Sequence, residues 1–252
     1  MRSIFSHIAA VCTLFWPTWV VAQPDVTVFA AASLRDALEE AVAGYEGQVV
    51  VSYGGSGQIA RQVAQGAPAD LIILANEAWV DWLEEREALV AQSRNDLVGN
   101  RLVLVGPSGS APLSEPTKEA LFERLDGGRL AIGQVDGVPA GIYGRQWLEA
   151  VELWSVFTPH LAQAENVRAA LLWVAREEAP LGIVYASDAQ AEASVDVLYD
   201  IPSNLHDEIV YPMAMVAGRE NTQAERFALY LYSPAVQDIF LQQGFMALET
   251  EQ

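Results

Sequence analysis

Two junctions near the start of this chain share one form: a short apolar strand, a run of very small residues, a serine, and then a helix. Val26-Thr27-Val28-Phe29 leads through Ala30-Ala31-Ala32 to Ser33 and a helix expected over Ser33–Ala43, with Leu34, Leu38 and Ala41/Val42 on one face. Val49-Val50-Val51 leads to Gly54-Gly55-Ser56-Gly57 and a helix over Gln58–Gln65. Strand followed at once by amphipathic helix, repeated, restricts the chain to parallel sheets covered by helices on both faces. The alternation continues. Ala69–Leu74 is an unbroken apolar run typical of a buried parallel strand. Glu77–Glu87 reads as a helix that turns Trp79, Trp82 and Leu83 toward the core, and Arg101–Val105 as a further strand. The second half predicts helices over Pro116–Arg124, Ala140–Val151 and Asn166–Glu178. It predicts strands over Leu130–Gly133, Leu181–Ala186, Val195–Tyr199 and Glu208–Val216, then closing helices over Ala224–Tyr232 and Ala235–Gln243.

Two strands, Arg101–Val105 and Ile209–Val216, are candidates for passages of the chain between two such units. This gives two lobes: a discontinuous first lobe of residues 23–104 and 212–252, a continuous second lobe of residues 105–211, and a cleft between them. In open α/β sheets ligands sit at the carboxyl ends of the strands, where both serines fall.

The first 22 residues read as an export leader. Arg2 is basic, Ile8 to Val21 is apolar but shorter than the ~20 residues of a membrane span, and Val20-Val21-Ala22 is a small-residue cleavage site. Export to the periplasm, with cleavage after about Ala22, is expected; a retained anchor is the alternative. Cys12, the only cysteine, lies in this leader, so the exported chain has no disulfide, no cysteine-ligated metal and no thiol nucleophile. A core must therefore hold it together, and 52% apolar residues suffice for one. The formal charge is −19 and Lys118 is the only lysine. Such a surface repels nucleic acid and opposes any anionic ligand at long range. An anion site in this chain has to work by oriented donors at contact range.

A serine at a helix start supplies that: a hydroxyl, free backbone N–H groups and the positive end of the helix dipole. The alternative for Ser33 and Ser56 is plain capping, worth ~1 kcal/mol each. Gly54, Gly55 and Gly57 would let a ligand approach the backbone closely. Val138-Pro139-Ala140-Gly141 opens a helix with proline near its first position and leaves the N–H of Ala140 accessible, although ordinary helix initiation explains it equally. Glu165-Asn166-Val167-Arg168 is a similar start. Tyr185 ends a strand and either points its hydroxyl into the cleft or packs in the core. Catalysis is weakly supported. Gly54-Gly55-Ser56-Gly57-Gln58 lacks the second glycine of a nucleophile elbow, and His160 and His206 have no carboxylate partner at a suggestive spacing. No nucleotide-phosphate loop and no metal-ligand cluster is present, and no catalytic residue or cofactor is expected.

The chain resembles the bacterial periplasmic molybdate-binding proteins, the solute receptors of molybdate ABC importers. The resemblance rests on Val28-Phe29-Ala30-Ala31-Ala32-Ser33-Leu34, Ile59-Ala60-Arg61-Gln62-Val63, Gly66-Ala67-Pro68-Ala69-Asp70-Leu71, Gly127-Gly128-Arg129-Leu130-Ala131, Val138-Pro139-Ala140-Gly141-Ile142-Tyr143, Ala179-Pro180-Leu181-Gly182-Ile183-Val184-Tyr185 and Tyr211-Pro212. It implies a type II periplasmic-binding-protein fold: two doubly wound α/β lobes joined by two crossing strands, closing on ligand by hinge motion. It also implies molybdate or tungstate as ligand, with a same-fold receptor for another oxyanion such as sulfate as the alternative. Ser33 and Ser56 would each give a hydroxyl and a backbone N–H, Ala140 and Val167 a backbone N–H, and Tyr185 its hydroxyl. The metal would be held as its oxyanion, with no direct protein ligand. The partner implied is the membrane permease of an ABC importer, and the receptor is expected to act as a monomer. Gly55 and Gly57 depart from members that carry serines there, leaving Ser56 as the only hydroxyl in its loop.

Overall fold

The computed structural model describes residues 24–248, so the expected leader and Cys12 lie outside the described residues. The first lobe is built from β1 (Val26–Ala31), α1 (Arg35–Ala43), β2 (Val49–Gly54), α2 (Ser56–Ala64), β3 (Leu71–Ile73), α3 (Glu77–Glu84) and β4 (Asn95–Gly99). The second holds β5 (Leu102–Pro107), α4 (Lys118–Leu125), β6 (Leu130–Gly133), α5 (Pro139–Ala150), α6 (Trp154–Phe157), β7 (Leu161–Ala164), α7 (Val167–Ala175), β8 (Leu181–Tyr185), α8 (Ala186–Gln190) and β9 (Val195–Asp200). The chain then returns through β10 (Val210–Met215) and closes the first lobe with α9 (Thr222–Leu231) and α10 (Pro234–Gln242).

The sheets are ordered β2-β1-β3-β10-β4 and β7-β6-β8-β5-β9. Each is mixed rather than wholly parallel. In the first, β1 pairs parallel with β2 and β3 while β10 runs antiparallel to β3 and β4. In the second, β6 pairs parallel with β7 and β8 while β5 runs antiparallel to β8 and β9. The antiparallel strand in each sheet is the one that enters from the other lobe, and it arrives pointing against the βα units already there. Because β5 and β10 are each hydrogen-bonded on both sides within one sheet, neither strand straddles the lobes. The passages are the short segments before them, Asn100–Arg101 and 201–209, ahead of the expected boundaries at 104/105 and 211/212. Pro212 sits inside β10 where the register against β4 shifts, which accommodates a residue without an N–H; its carbonyl still accepts from Leu74 N at 3.1 Å.

Two strands, β4 and β7, lack a sequence signal. Both are edge strands, and Asn95-Asp96 and Gln163 face outward, so neither shows an apolar run. The apolar runs of β1, β3, β5, β6 and β8 form the buried centres of the sheets, with Trp147, Tyr143, Phe157, Phe227 and Phe240 among the largest fully buried side chains. Truncating an aromatic such as Trp147 to alanine is expected to cost about 3–5 kcal/mol. Trp79 and Trp82 pack half-buried on a smaller cluster under α2 and α3.

Candidate functional site

The carboxyl ends of the parallel strands in both sheets face each other across the cleft, and there Ser33, Ser56, Ala140, Val167 and Tyr185 line one small cavity. About 10 Å³ is open to the centre of a water-sized sphere, which excludes an organic solute. No charged side chain lines it, and neither do His160 or His206, so Ser56 has no base beside it.

Neither serine is a plain cap. Ser33 lies in a 3-10 turn, Ala32–Leu34, between β1 and α1, and Ser56 is the first residue of α2 after Gly55; neither hydroxyl accepts a capping bond. Both are almost fully buried, at 1% exposure. Ser56 Oγ instead accepts the N–H of Ala75 at 3.0 Å, and Ser33 Oγ lies 2.9 Å from the Tyr211 hydroxyl. Ser56 Oγ therefore has a lone pair occupied and its own proton left to donate.

The second lobe brings helix starts. Ala140 is in the first turn of α5; the N–H groups of Gly141 and Ile142 donate to Val138 O at 2.8 and 3.0 Å, which leaves that of Ala140 as the donor of this turn. Gly141 lets this turn press on the end of β6, since a Cβ there would overlap the Gly133 carbonyl. Val167 opens α7, capped by the Asn166 side chain, which accepts from Ala169 N at 2.9 Å. Tyr185 ends β8. Its ring is buried and its hydroxyl has no hydrogen-bond partner among the described residues. Burial pushes the phenol well above its ordinary pKa, so it keeps its proton and is a donor.

The lobes are in contact around this cavity. Gly57 N donates to Gly137 O at 3.2 Å, and Asn76 Nδ2 to the Tyr143 hydroxyl at 3.1 Å. Arg168, on α7, is ion-paired to Asp36 of the first lobe at 2.6 Å and to Asp188 of its own at 2.5 Å; it also donates to Ser33 O at 3.3 Å. Asp188 is fully buried. Desolvation raises its pKa to about 6 against the opposing pull of Arg168 and of the Tyr185 N–H. The glycines around Ser56 serve this closure more directly than ligand approach: a Cβ at Gly55 would lie 2.5 Å from Glu165 O, across the cleft. Asn76, Tyr143, Arg168, Asp188, Asn100 and Tyr211 carry no role in the sequence reading. Tyr211-Pro212 was visible only as a matching dipeptide.

A family model for bacterial extracellular solute-binding proteins matches residues 26–246. The chain is 41% identical over 226 residues to the molybdate-binding protein ModA of Escherichia coli (strain K12), covering 87% of this chain and 88% of that protein. It is 38% identical over 232 residues to the molybdate-binding protein ModA of Haemophilus influenzae, covering 90% and 91%. The periplasmic molybdate-binding protein of Azotobacter vinelandii superposes with a TM-score of 0.77 at 23% identity, over 89% of this chain and all of that one, and shares the fold.

Proposed function

This chain belongs to the bacterial extracellular solute-binding proteins, and we propose that it captures molybdate or tungstate and delivers it to an ABC importer. The observation that carries the reading is the cavity between the lobes: Ser33, Ser56, Ala140, Val167 and Tyr185, which would supply three hydroxyls and four backbone N–H groups, line it with no charged side chain among them. Molybdate and tungstate are tetrahedral dianions without a proton near neutral pH. They need donors and nothing else, and the two ions are nearly the same size. Each charge-assisted hydrogen bond contributes ~1.5–3 kcal/mol, and helix starts held by packed lobes lose little entropy on binding. The sum, less the cost of association, supports submicromolar affinity. The similarity to relatives whose names state molybdate binding supports the same ligand.

In this reading the leader over residues 1–22 routes the chain to the periplasm, cleavage falls after about Ala22, and the closed receptor docks as a monomer on the importer's membrane permease. Thermal unfolding of the leaderless protein with molybdate, tungstate, sulfate and phosphate tests the ligand. A ligand at ~1,000 times its Kd adds ~4 kcal/mol of stability. Shifts are expected with molybdate and tungstate; their absence overturns the reading, and a larger shift with sulfate reassigns it to that oxyanion.

A further inference from the structure

A line of polar side chains leads away from Ser33 to the passages between the lobes. Asn100 is the residue where the chain leaves β4 for the second lobe, and Tyr211 lies in β10, just after the chain returns. Both are buried. Asn100 Oδ1 accepts the N–H of Arg101 at 2.9 Å. That contact fixes the orientation of the amide, because the oxygen must face the backbone donor. The nitrogen then faces two hydroxyls, Ser187 Oγ at 2.8 Å and Tyr211 at 3.1 Å. An amide nitrogen only donates. The Tyr211 oxygen therefore accepts, and its own proton is left for Ser33 Oγ, 2.9 Å away. Burial holds the Tyr211 phenol protonated, well above its ordinary range. Ser33, having accepted from Tyr211, has its own proton free for the cavity.

We propose that Asn100 and Tyr211 are positioning residues that aim the Ser33 proton at the bound oxyanion, so that the site turns away oxyanions that carry a proton. This rests on the oxyanion reading above. Hydrogen phosphate and molybdate are both tetrahedral dianions at about pH 8, but hydrogen phosphate has an O–H that needs an acceptor. For Ser33 to accept it, the serine would have to turn its proton away from the ligand. With Tyr211 already donating to Ser33 Oγ, that proton has no partner. Reversing the line reverses the preference. In Asn100→Asp the carboxylate keeps the Arg101 contact through one oxygen, and the other attracts the Tyr211 proton. The Tyr211 oxygen can then accept from Ser33, and Ser33 becomes an acceptor toward the ligand.

The experiment is titration calorimetry at about pH 8 with molybdate and with inorganic phosphate as competitor, on wild type, Asn100→Asp, Tyr211→Phe and the double variant. The readout is the ratio of the two affinities, because a residue with a merely structural role weakens both ligands alike. Asn100→Asp is expected to lower the molybdate-to-phosphate ratio by at least about tenfold, the scale on which unpaired polar groups discriminate ligands. Made on the Tyr211→Phe background, where the line is cut, the same change is expected to weaken both dianions equally through its added charge and leave the ratio unaltered. Equal weakening in the single variant, or the same change of ratio in both backgrounds, overturns the proposal while wild-type molybdate binding leaves the functional reading standing. Wild type that binds no oxyanion overturns both. Should Asn100→Asp not fold, Tyr211→Phe alone is expected to lower the ratio about threefold, and an unchanged ratio there overturns the proposal.

Discussion

The two sheets share a strand order, so β1, β2 and β3 of the first lobe occupy the places of β6, β7 and β8 in the second. At equivalent strand ends the lobes offer different chemistry. The first lobe presents the side-chain hydroxyls of Ser33 and Ser56 after β1 and β2, where the second presents the first turns of α5 and α7 with Ala140 and Val167. After β8 stands the Tyr185 hydroxyl. After β3 stand Ala75, whose N–H is spent on Ser56 Oγ, and Asn76, which bonds across the cleft to Tyr143. In the proposed reading one lobe would recognise with groups that a substitution removes, and the other largely with backbone that substitution leaves in place. The third strand end of the first lobe serves to orient and to lock.

The comparison can be broken in several ways. The largest expected effect concerns stability and belongs to the second lobe, which buries Asp188 completely beside Arg168. Its pKa of about 6 lies above the ordinary value of 3.8, so the folded state holds this proton more tightly than the unfolded chain. The stability this gives is fully present below about pH 4 and is lost as pH rises through about 6. Relative to Asp188→Asn, the wild type is expected to lose on the order of 2–3 kcal/mol across that window and nothing above it. Urea unfolding at a series of pH values reads this, and parallel curves would refute it.

Next is the contact of the lobes. Gly55 has extended backbone that valine also adopts, and a Cβ there meets only the opposite lobe. Gly55→Val is expected to weaken oxyanion binding about 100-fold through closure, with little change in the stability of the free protein. Wild-type affinity in this variant would separate binding from the approach of the lobes.

The last test sets hydroxyl against backbone. Ser33→Ala and Ser56→Ala should each cost about 10–100-fold in affinity. Val167→Pro removes an N–H at a first helical position, where proline is tolerated and where Asn166 already has the extended conformation it requires. A loss of about tenfold is expected, with the helix intact by circular dichroism. An unchanged affinity in Val167→Pro, beside a loss in the serine variants, would place recognition in the first lobe alone.

The βα alternation and the two serines stood out because they follow a local rule, an apolar run, then small residues, then a helix start, whereas Ala140, Val167 and Tyr185 look ordinary by themselves and were drawn in by the family resemblance. The edge strands β4 and β7 were not, since half their residues face water. Nor were the pairs that aim and lock the site. Ser33 and Tyr211 are separated by 178 residues, and Asn76 and Tyr143 by 67. The first bond waits for β10 to return to the first sheet and the second for the two lobes to meet, and no local pattern encodes either. The glycines beside Ser56 were visible, but what presses on them, the Glu165 and Gly137 carbonyls, belongs to the other lobe.

The placement of β10 between β3 and β4 also sets an order of assembly. All the strands of the second sheet are contained in residues 102–200, so that sheet can complete itself as the chain emerges. The first sheet has a gap between β3 and β4 until Val210–Met215 arrives, and its closing helices come later still. The lobe made first is therefore finished last, and its sheet closes only after every strand of the second sheet has been made.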